Sequence, residues 1–410
     1  MRILHVLPTL SPIYGGPPKA CMDMAGIMAK RGHDVELYTI NYDGLGEFNS
    51  DASGEIRVID GVKVTQFKIG LLKYRFFSPD LFRALCRNIS SFDLVHIHEP
   101  YVFPSIAGGF CCRLKNIPYV FQPHGSLDPY VKRRRRWRKA LFEFLFVRPL
   151  VTHAAVVHYT TTEEMQLASP YTFGRPGTVI PLGIHLDEYR PLPERGSFRA
   201  RHPELAGRTL VLFLGRINPS KGLDVLARAF GRAARLRDDL HLVVAGPDNS
   251  GYQQQVETWL REDGVDDRAT FTGMITGEEK LAALRDADLF ALTSYSESFG
   301  LSVVEAMACK VPVLVSDKVK IWRDVVSSGA GRVAPLDPER VAEIMVEMVA
   351  DEAERERAGW RGVEAVRTKF NWAVIAEDLE RHYYAVLGDE PPAPSIKKPV
   401  KEAKRSVAMG

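Results

Sequence analysis

The 410-residue sequence contains little cysteine, and it has neither a long apolar run nor the spacing of a metal-ligand motif. Its five cysteines are an odd number and include no C-x-x-C pair, which argues against a disulfide framework or a zinc site and favours a reducing compartment. No apolar stretch approaches the roughly 20 residues of a membrane-spanning helix, and the N-terminus lacks the apolar region of a signal peptide. These absences predict a cytoplasmic protein without a resident metal.

Several catalytic signatures are also missing. Without a Walker A lysine motif, a G-x-S-x-G elbow or an H-E-x-x-H pair, a P-loop NTPase, a serine hydrolase and a zinc protease are all disfavoured. The glycines after the first apolar run do not form G-x-G-x-x-G, and no acidic residue ends the second run. A nicotinamide-dependent oxidoreductase is therefore only a weak alternative.

The net charge of +3 is unevenly distributed. Residues 1–200 hold 25 basic and 18 acidic residues, whereas residues 201–410 hold 29 and 33. Much of the basic excess is one run, residues 132–139, in the sequence KRRRRWRK. A nucleic-acid-binding protein spreads its basic residues over a face that also carries aromatic side chains. One local run beside an acidic second half predicts no nucleic-acid partner.

Short apolar runs alternate with longer helical patterns along the chain. One series extends from Ile3–Leu7 to Thr178–Ile180, and a second from Leu210–Leu214 to Val311–Val315, with a polar stretch over residues 186–208 between them. Runs that are apolar on both faces and separated by helices indicate buried parallel strands. The pattern predicts an α/β protein with two doubly wound, Rossmann-like domains that face a cleft. Their predicted bounds are 1–190 and 191–371, with a flexible proline-containing tail over 388–410.

The segment after the run Leu289–Leu292 carries the strongest chemical signal. Glu297 precedes a helical pattern that begins after Gly300, and Glu305 lies about two turns beyond Glu297. The backbone N–H groups of a helix N-terminus favour a phosphate, and carboxylates are natural acceptors for sugar hydroxyls. The segment therefore suits one extended ligand that carries both groups. An ordinary strand–loop–helix connection is the alternative.

Two further strand ends point to the same edge of the second sheet. Gly215 and Arg216 follow the run Leu210–Leu214, and Lys221 comes five residues later. Two cations at the carboxyl ends of parallel strands suit a departing diphosphate, although solvated surface charge is the usual role of such residues. Gly246 ends a neighbouring run, where it permits a close backbone approach or simply forms a turn.

In the first half, Gly15 and Gly16 form a glycine loop before a helical pattern, which predicts an anion or sugar site. His124 follows the run Tyr119–Phe121. This histidine either donates to a substrate hydroxyl, stabilises charge or has a purely structural role.

Taken together, these residues resemble the retaining glycosyltransferases of family 4, which have the two-domain GT-B fold. The E-x7-E pattern from Glu297 to Glu305 is the most specific feature, and the resemblance covers about residues 1–388. It is supported by the glycines and charged residues already named and by the segment VIPLGI over residues 179–184.

The resemblance implies a role for each residue. Arg216 and Lys221 would bind the donor's diphosphate, Glu305 its ribose, and Glu297 its sugar, while His124 would contact the sugar from the first domain. The remaining donor-binding residues would be Gly15, Gly16, Gly215, Gly246, Ser298, Phe299, Gly300 and Leu301. The last helix, 372–387, would cross back onto the first domain.

The family pattern also implies retaining, metal-independent transfer from a UDP-, GDP- or ADP-sugar to a saccharide or lipid-linked acceptor, with no cofactor besides the donor. One departure is clear: many members carry G-G-x-P-E where this chain has Lys318–Val325, and no function is assigned to that segment. Residues 124–130, HGSLDPY, resemble a subgroup that assembles bacterial polysaccharide and lipopolysaccharide. A GT-B nucleotide-sugar epimerase stays the nearest alternative.

The basic run leads directly into an aromatic and aliphatic segment that extends to residue 147. Residues 132–147 would dock on an anionic bilayer, at the inner face of the cytoplasmic membrane, and bring the active site to a lipid-linked acceptor. A helix whose apolar side packs into the domain is the alternative.

Overall fold

The computed structural model describes residues 1–42, 54–70, 76–132 and 140–390. They form two mostly parallel β-sheets with helices packed against them, which confirms the predicted α/β class. Most of the basic run (133–139) and most of the predicted tail (391–410) lie outside the described residues. Among the described residues, no helix is long and apolar enough to span a bilayer.

The first sheet has the strand order β3-β4-β2-β1-β5-β6-β7-β8. Its strands are β1 (Arg2–Val6), β2 (Asp34–Ile40), β3 (Glu55–Ile59), β4 (Val62–Phe67), β5 (Leu94–His98), β6 (Tyr119–Gln122), β7 (Val156–Tyr159) and β8 (Gly177–Val179). The helices around it are α1 (Gly16–Lys30), α2 (Pro79–Asn88), α3 (Phe103–Lys115), α4 (Pro129–Lys132), a π-helical turn (Glu143–Val147), α5 (Arg148–Thr152) and α6 (Thr162–Ala168). Because all neighbours except β3 and β4 pair in parallel, their carboxyl ends share one edge.

The second sheet has the order β11-β10-β9-β12-β13-β14 and is parallel throughout. Its strands are β9 (Thr209–Leu214), β10 (Leu240–Ala245), β11 (Ala269–Gly273), β12 (Leu289–Leu292), β13 (Val313–Ser316) and β14 (Gly331–Ala334). Its helices are α7 (Leu223–Leu236), α8 (Gln253–Glu262), α9 (Gly277–Asp286), α10 (Leu301–Ala308), α11 (Trp322–Ser328), α12 (Pro338–Ala350) and α13 (Glu352–Lys369).

Two strands fall outside the predicted runs. β3 is an antiparallel edge strand with every residue exposed, and none of the predicted runs covers it. Its sequence, EIRVI, alternates charged and apolar residues and has no core face that would mark it. The other, β14, has only four residues, one of them Gly331 and one Arg332, which is too short and polar to register as an apolar run.

The final helix, α14 (Trp372–Leu387), packs against α1 of the first half. Glu380 accepts hydrogen bonds from Arg31 and from the ring of His33, which lies 2.7 Å away. The buried hydroxyl of Tyr383 reaches the ring of His96 at 2.7 Å. The last described helix therefore packs on the half in which the chain began, although the division at residue 190 itself stays a prediction.

Candidate active site

The glycine loop of the first half contacts the second half directly. Gly15, with φ of +85°, precedes α1, and a Cβ placed on it would lie 3.3 Å from Nε of Arg216. A Cβ on Gly16 would lie 3.5 Å from Cδ1 of Leu301, at the start of α10. The structure thus brings together four residues that the sequence had placed at separate strand ends. Gly15 leaves room beside the arginine, and Gly16 leaves room beside Leu301.

At the neighbouring strand end, only glycine is compatible with the packing. Gly246 has φ of +150°, and a Cβ there would lie 1.9 Å from the carbonyl oxygen of Gly215. The backbones that follow β9 and β10 are therefore in direct contact. A glycine at position 246 is therefore required for these two backbone segments to pack together.

Lys221 and Glu297 form an ion pair that links the loops after β9 and β12. The side chains are largely buried, and Ser294 lies near the same carboxylate oxygen, at 3.4 Å. The loops are held together by Gly222, where a Cβ would collide with the carbonyl oxygen of Thr293 at 1.9 Å. The structure therefore joins Lys221 and Glu297 in one ion pair, whereas the sequence had placed them in separate loops.

The helix α10 begins at Leu301 after Gly300, whose φ of +95° requires glycine or strain. No side chain of the described residues caps this N-terminus, so its first N–H groups are available to an anion. The side chain of Phe299 is buried and packs edge-on against Phe370. Phe299 thus contributes only its backbone to the cleft. The neighbouring Ser298 carbonyl accepts a hydrogen bond from the Thr160 hydroxyl, which lies 3.1 Å away across the interface between the halves.

Glu305 is buried on α10 and is held by two residues that sequence reasoning did not identify. The Tyr189 hydroxyl donates to its Oε1 at 2.8 Å, and the Lys280 ammonium donates to the same oxygen at 3.0 Å. Its Oε2 has no hydrogen bond to the described residues. One carboxylate oxygen is fixed by the protein and the other is available to hydroxyls. No local pattern marks Tyr189, which lies 116 residues before Glu305.

His124 is the end of a buried row of histidines. Its Nε2 lies 2.9 Å from Nδ1 of His98, whose Nε2 lies 3.1 Å from Nδ1 of His5. Burial, and then the proximity of His158, lowers the pKa of His124 to about 3. The imidazole is therefore neutral at physiological pH, which suits a hydrogen-bonding role and not stabilisation of negative charge by a cation.

The same row includes three histidines close enough to suggest a metal site, His5, His96 and His98. Their rings are stacked, with interplanar angles of 15° between His5 and His98 and 20° between His96 and His98. Both ring nitrogens of His98 already have histidine partners, and Nδ1 of His96 lies 2.7 Å from the Tyr383 hydroxyl. The group is better described as a hydrogen-bonded stack.

The segment that departs from the family pattern forms the main charged contact between the halves. Lys320 is buried, and its ammonium donates to Asp128 Oδ2 at 2.7 Å, while the Ser296 hydroxyl donates to the same oxygen at 3.0 Å. Asp128 Oδ1 accepts a hydrogen bond from the backbone of Tyr130. Lys320, which lies 192 residues after Asp128, thus anchors the loop that begins at His124.

Replacing Asp128 with alanine is expected to open the interface between the halves, because the Lys320 ammonium would be buried without a counterion, at a cost of about 3–5 kcal/mol. The thermal midpoint should fall by several degrees, and small-angle scattering should show a larger radius of gyration. Asp378→Ala is the control, since its partner Arg381 is exposed on the same helix and remains hydrated. Equal midpoints and radii for the two variants would contradict the assignment.

A cavity of about 450 Å³ lies behind Phe299, between α6 and the Lys320 segment. Its charged residues are paired with one another or with neighbours: Arg323 with Glu163, Lys369 with Asp324, and Lys320 with Asp128. Apart from Phe299, it contains none of the predicted donor-binding residues. It therefore offers little net charge to an anionic ligand.

Comparison with protein-family models divides the chain into two matched regions. Residues 15–183 match a glycosyl transferase 4-like domain, and residues 194–364 match the glycosyl transferases group 1. The two regions contain the glycine loop with His124 and the charged residues of the second half, respectively.

Individual proteins resemble the chain over nearly its whole length. It is 28% identical to a phosphatidyl-myo-inositol mannosyltransferase of Mycobacterium leprae over 399 residues, which cover 94% of this chain and 97% of the relative. Its fold matches a sucrose-phosphate synthase of Thermosynechococcus elongatus, with a TM-score of 0.76, 22% identity and coverage of 95% and 99%. Anabaena HepE in complex with UDP-glucose gives a TM-score of 0.76, 18% identity and coverage of 94% and 100%.

Proposed function

Because the chain belongs to the GT-B glycosyltransferases of family 4, we propose that it transfers a sugar from a nucleoside diphosphate sugar to a hydroxylated acceptor with retention of configuration. The observation that carries this proposal is the meeting of Gly15, Arg216 and Leu301 at the interface of the two halves. That arrangement surrounds one position with a guanidinium group, a helix N-terminus and a backbone without side chains, which suits a diphosphate.

Arg216, Lys221 and the start of α10 would neutralise the departing diphosphate. Negative charge develops there as the glycosidic bond breaks, and fixed positive groups in a closed cleft stabilise it effectively. These groups supply the charge that a divalent cation supplies in other transferases, so the proposed reaction is metal-independent and needs no cofactor besides the donor. Glu297 would orient Lys221 and hold the donor sugar, while neutral His124 would hydrogen-bond that sugar from the first half.

Glu305→Ala is expected to weaken nucleoside diphosphate binding about 10- to 100-fold, because Oε2 would no longer accept the ribose hydroxyls and hydrogen bonds to a charged group contribute about 1.5–3 kcal/mol. Calorimetric titration with UDP, GDP and ADP measures the effect and identifies the base. Glu377→Ala, an exposed change on α14, is the matched control. Undiminished affinity in the Glu305 variant would remove Glu305 from the donor site.

For the acceptor, we propose a lipid-linked polyol at a membrane surface, in the assembly of cell-surface polysaccharide or lipopolysaccharide. The apolar residues after the basic run support it, since Leu141, Phe144, Leu145 and Phe146 are 42–61% exposed while Val147 packs inward. An exposed apolar patch beside a basic run is typical of peripheral membrane binding. The phosphatidyl-myo-inositol named for the relative is an acceptor of this type.

Replacing Phe144 and Leu145 with glutamate is expected to reduce flotation with anionic vesicles at least tenfold, since each buried apolar side chain contributes about 1.5–3 kcal/mol. Leu236→Glu, an equally exposed position in the second half, is the control and should float like wild type. Equal flotation of all three proteins would exclude this surface as the membrane contact. Neutralising Arg133–Arg136 tests the charged component separately.

Two observations favour the proposed transfer reaction over the epimerase alternative. Both matching family models describe transferases, and the relative that matches nearly the whole chain carries a transferase name. The oxidoreductase and nucleic-acid alternatives receive no support from these comparisons.

A further inference from the structure

The backbone holds His124 at the point where the two halves meet. Its φ of +48° is left-handed, a strained conformation for a non-glycine residue that is concentrated at functional sites. The next residue, Gly125, donates its N–H to Glu164 Oε1 at 2.6 Å, and a Cβ on Gly125 would lie 2.8 Å from Cβ of Ser298. His124 therefore adjoins the loop that leads into α10.

One ring nitrogen of His124 is open to the cleft. Its Nε2 lies 2.9 Å from Nδ1 of His98, whereas its own Nδ1 has no hydrogen bond to any described residue. His5 and His98 are fully buried, but His124 is only half-buried, and its Nδ1 is not one of the buried unpartnered atoms. This nitrogen is thus the end of the histidine row that a ligand can reach.

The rings of the row are placed for two N–H···N hydrogen bonds. The rings of His5 and His98 are inclined by 15° with centroids 5.4 Å apart, and those of His98 and His124 by 24° with centroids 5.2 Å apart. The corresponding N···N distances are 3.1 and 2.9 Å, so the contacting nitrogens lie between the ring centres and face each other.

Three neutral rings joined in this way can hold their protons in only two arrangements. A neutral imidazole carries one N–H, and each N···N contact needs one N–H and one bare nitrogen. If His98 is protonated at Nδ1, His124 is protonated at Nδ1 and His5 is bare at Nε2. If His98 is protonated at Nε2, His124 is bare at Nδ1 and His5 is protonated at Nε2.

The buried end of the row selects the first arrangement. His5 Nε2 is buried and has no partner among the described residues, so a proton there would be an N–H donor without an acceptor, which is rare in native proteins. A bare nitrogen is already tolerated beside it. His158 must donate from Nε2 to the Ile180 carbonyl oxygen at 2.9 Å, which leaves its buried Nδ1 bare and unpartnered.

We propose that His98 is a positioning residue that fixes the tautomer of His124, so that His124 Nδ1–H donates a hydrogen bond to an oxygen of the donor sugar. This inference rests on the proposed function. His5 Nδ1–H donates to His98 Nε2, and His98 Nδ1–H donates to His124 Nε2. Burial holds the pKa of all three rings well below the usual range, so protonation near neutral pH does not reverse the row.

NMR reads the proton positions directly. Protein labelled with 15N-histidine is examined by long-range 1H–15N correlation at pH 8, where protonated and bare ring nitrogens give separate shifts. The signals that disappear in His124→Gln identify His124. We expect its ring in wild type to be protonated at Nδ1 and bare at Nε2. A proton on Nε2 in wild type would overturn the proposal.

Two substitutions of His98 separate its hydrogen bond from its packing. His98→Asn keeps a donor, because the amide nitrogen takes about the position of Nδ1, and it should preserve the His124 tautomer and transfer within threefold of wild type. His98→Leu removes the donor. The His124 proton should then move at least partly to Nε2, and kcat/KM for the donor should fall about tenfold, as for one lost hydrogen bond. Nucleotide affinity should change less than threefold.

His96→Leu is the matched control. His96 lies two residues earlier on β5, is equally buried and has its own hydrogen bond to Tyr383, outside the row. This variant should keep the His124 tautomer and transfer within threefold of wild type. Should His98→Leu fail to fold by circular dichroism, the wild-type spectrum and His98→Asn still test the proposal.

An unchanged tautomer and an unchanged rate in folded His98→Leu would also overturn the proposal. Failure of the proposed function has a different appearance. Wild type would then consume none of UDP-glucose, GDP-mannose and ADP-glucose, while the spectrum would still report the tautomer of His124.

Discussion

Lowering the pH from 7 to 5 is expected to unfold the first half of the chain. Burial lowers the pKa of His5 to about 3 and of His158 to about 4, and it also lowers the pKa of His96, His98 and His124. In the unfolded chain these histidines take up protons near pH 6.5. The folded state excludes the protons, so its stability is complete above about 6.5 and is lost as the pH falls toward the folded pKa values.

The expected size of this effect is comparable to the whole stability of a domain. Each buried histidine costs about 1.4 kcal/mol for every pH unit below 6.5, or about 2 kcal/mol at pH 5. Five such groups acting together approach ~10 kcal/mol, within the range of ~5–15 kcal/mol typical of native proteins.

Urea unfolding followed by circular dichroism at pH 7.5, 6.0 and 5.0 measures this loss. His158→Gln should make stability less dependent on pH, because one proton-excluding group is removed while the amide can still donate to the Ile180 carbonyl. His153→Gln is the control, since His153 is exposed. A stability that stays constant between pH 7.5 and 5.0 would show that the histidine row is hydrated or already protonated.

Arg216→Ala is expected to reduce kcat/KM for sugar transfer by about 10²- to 10³-fold, the usual cost of removing one preorganised group that stabilises developing negative charge. Arg216→Lys should recover only part of the rate, because an ammonium group cannot form the paired hydrogen bonds of a guanidinium group with a phosphate.

The control for Arg216 is Arg381→Ala, which removes an exposed arginine of α14 and should leave transfer unchanged. Initial rates with saturating acceptor and varied donor separate a binding effect from an effect on the reaction step. A loss of less than threefold in the Arg216 variant would show that the diphosphate binds elsewhere.

Much of the fold and part of the site could be predicted because their signals are local. Apolar runs such as Leu289–Leu292 identify buried parallel strands, and strand–glycine–loop–helix patterns place Arg216 and the Glu297 segment at a sheet edge. Gly15 and Arg216 follow strands of different sheets, and their close approach is visible only in the structure. In contrast, β3 carries no apolar face and was not predictable from such runs.

The remainder of the site depends on pairs that are far apart in sequence. Tyr189 orients Glu305, and Lys320 binds Asp128, but each contact exists only after both sheets have formed and met.

The central claim is that the protein transfers a sugar with retention of configuration. It is tested most directly by product analysis with UDP-glucose, GDP-mannose and ADP-glucose as donors. The acceptors are phosphatidylinositol in vesicles, free myo-inositol and a polyprenyl-diphosphate-linked sugar. We expect one donor to be consumed. The anomeric proton coupling or carbon shift in the product's NMR spectrum should show the same anomeric configuration as in the donor sugar. Glu305→Ala should consume that donor more slowly under the same conditions. A product of inverted configuration would contradict retention, and no consumption of any donor would contradict transfer from a nucleotide sugar altogether.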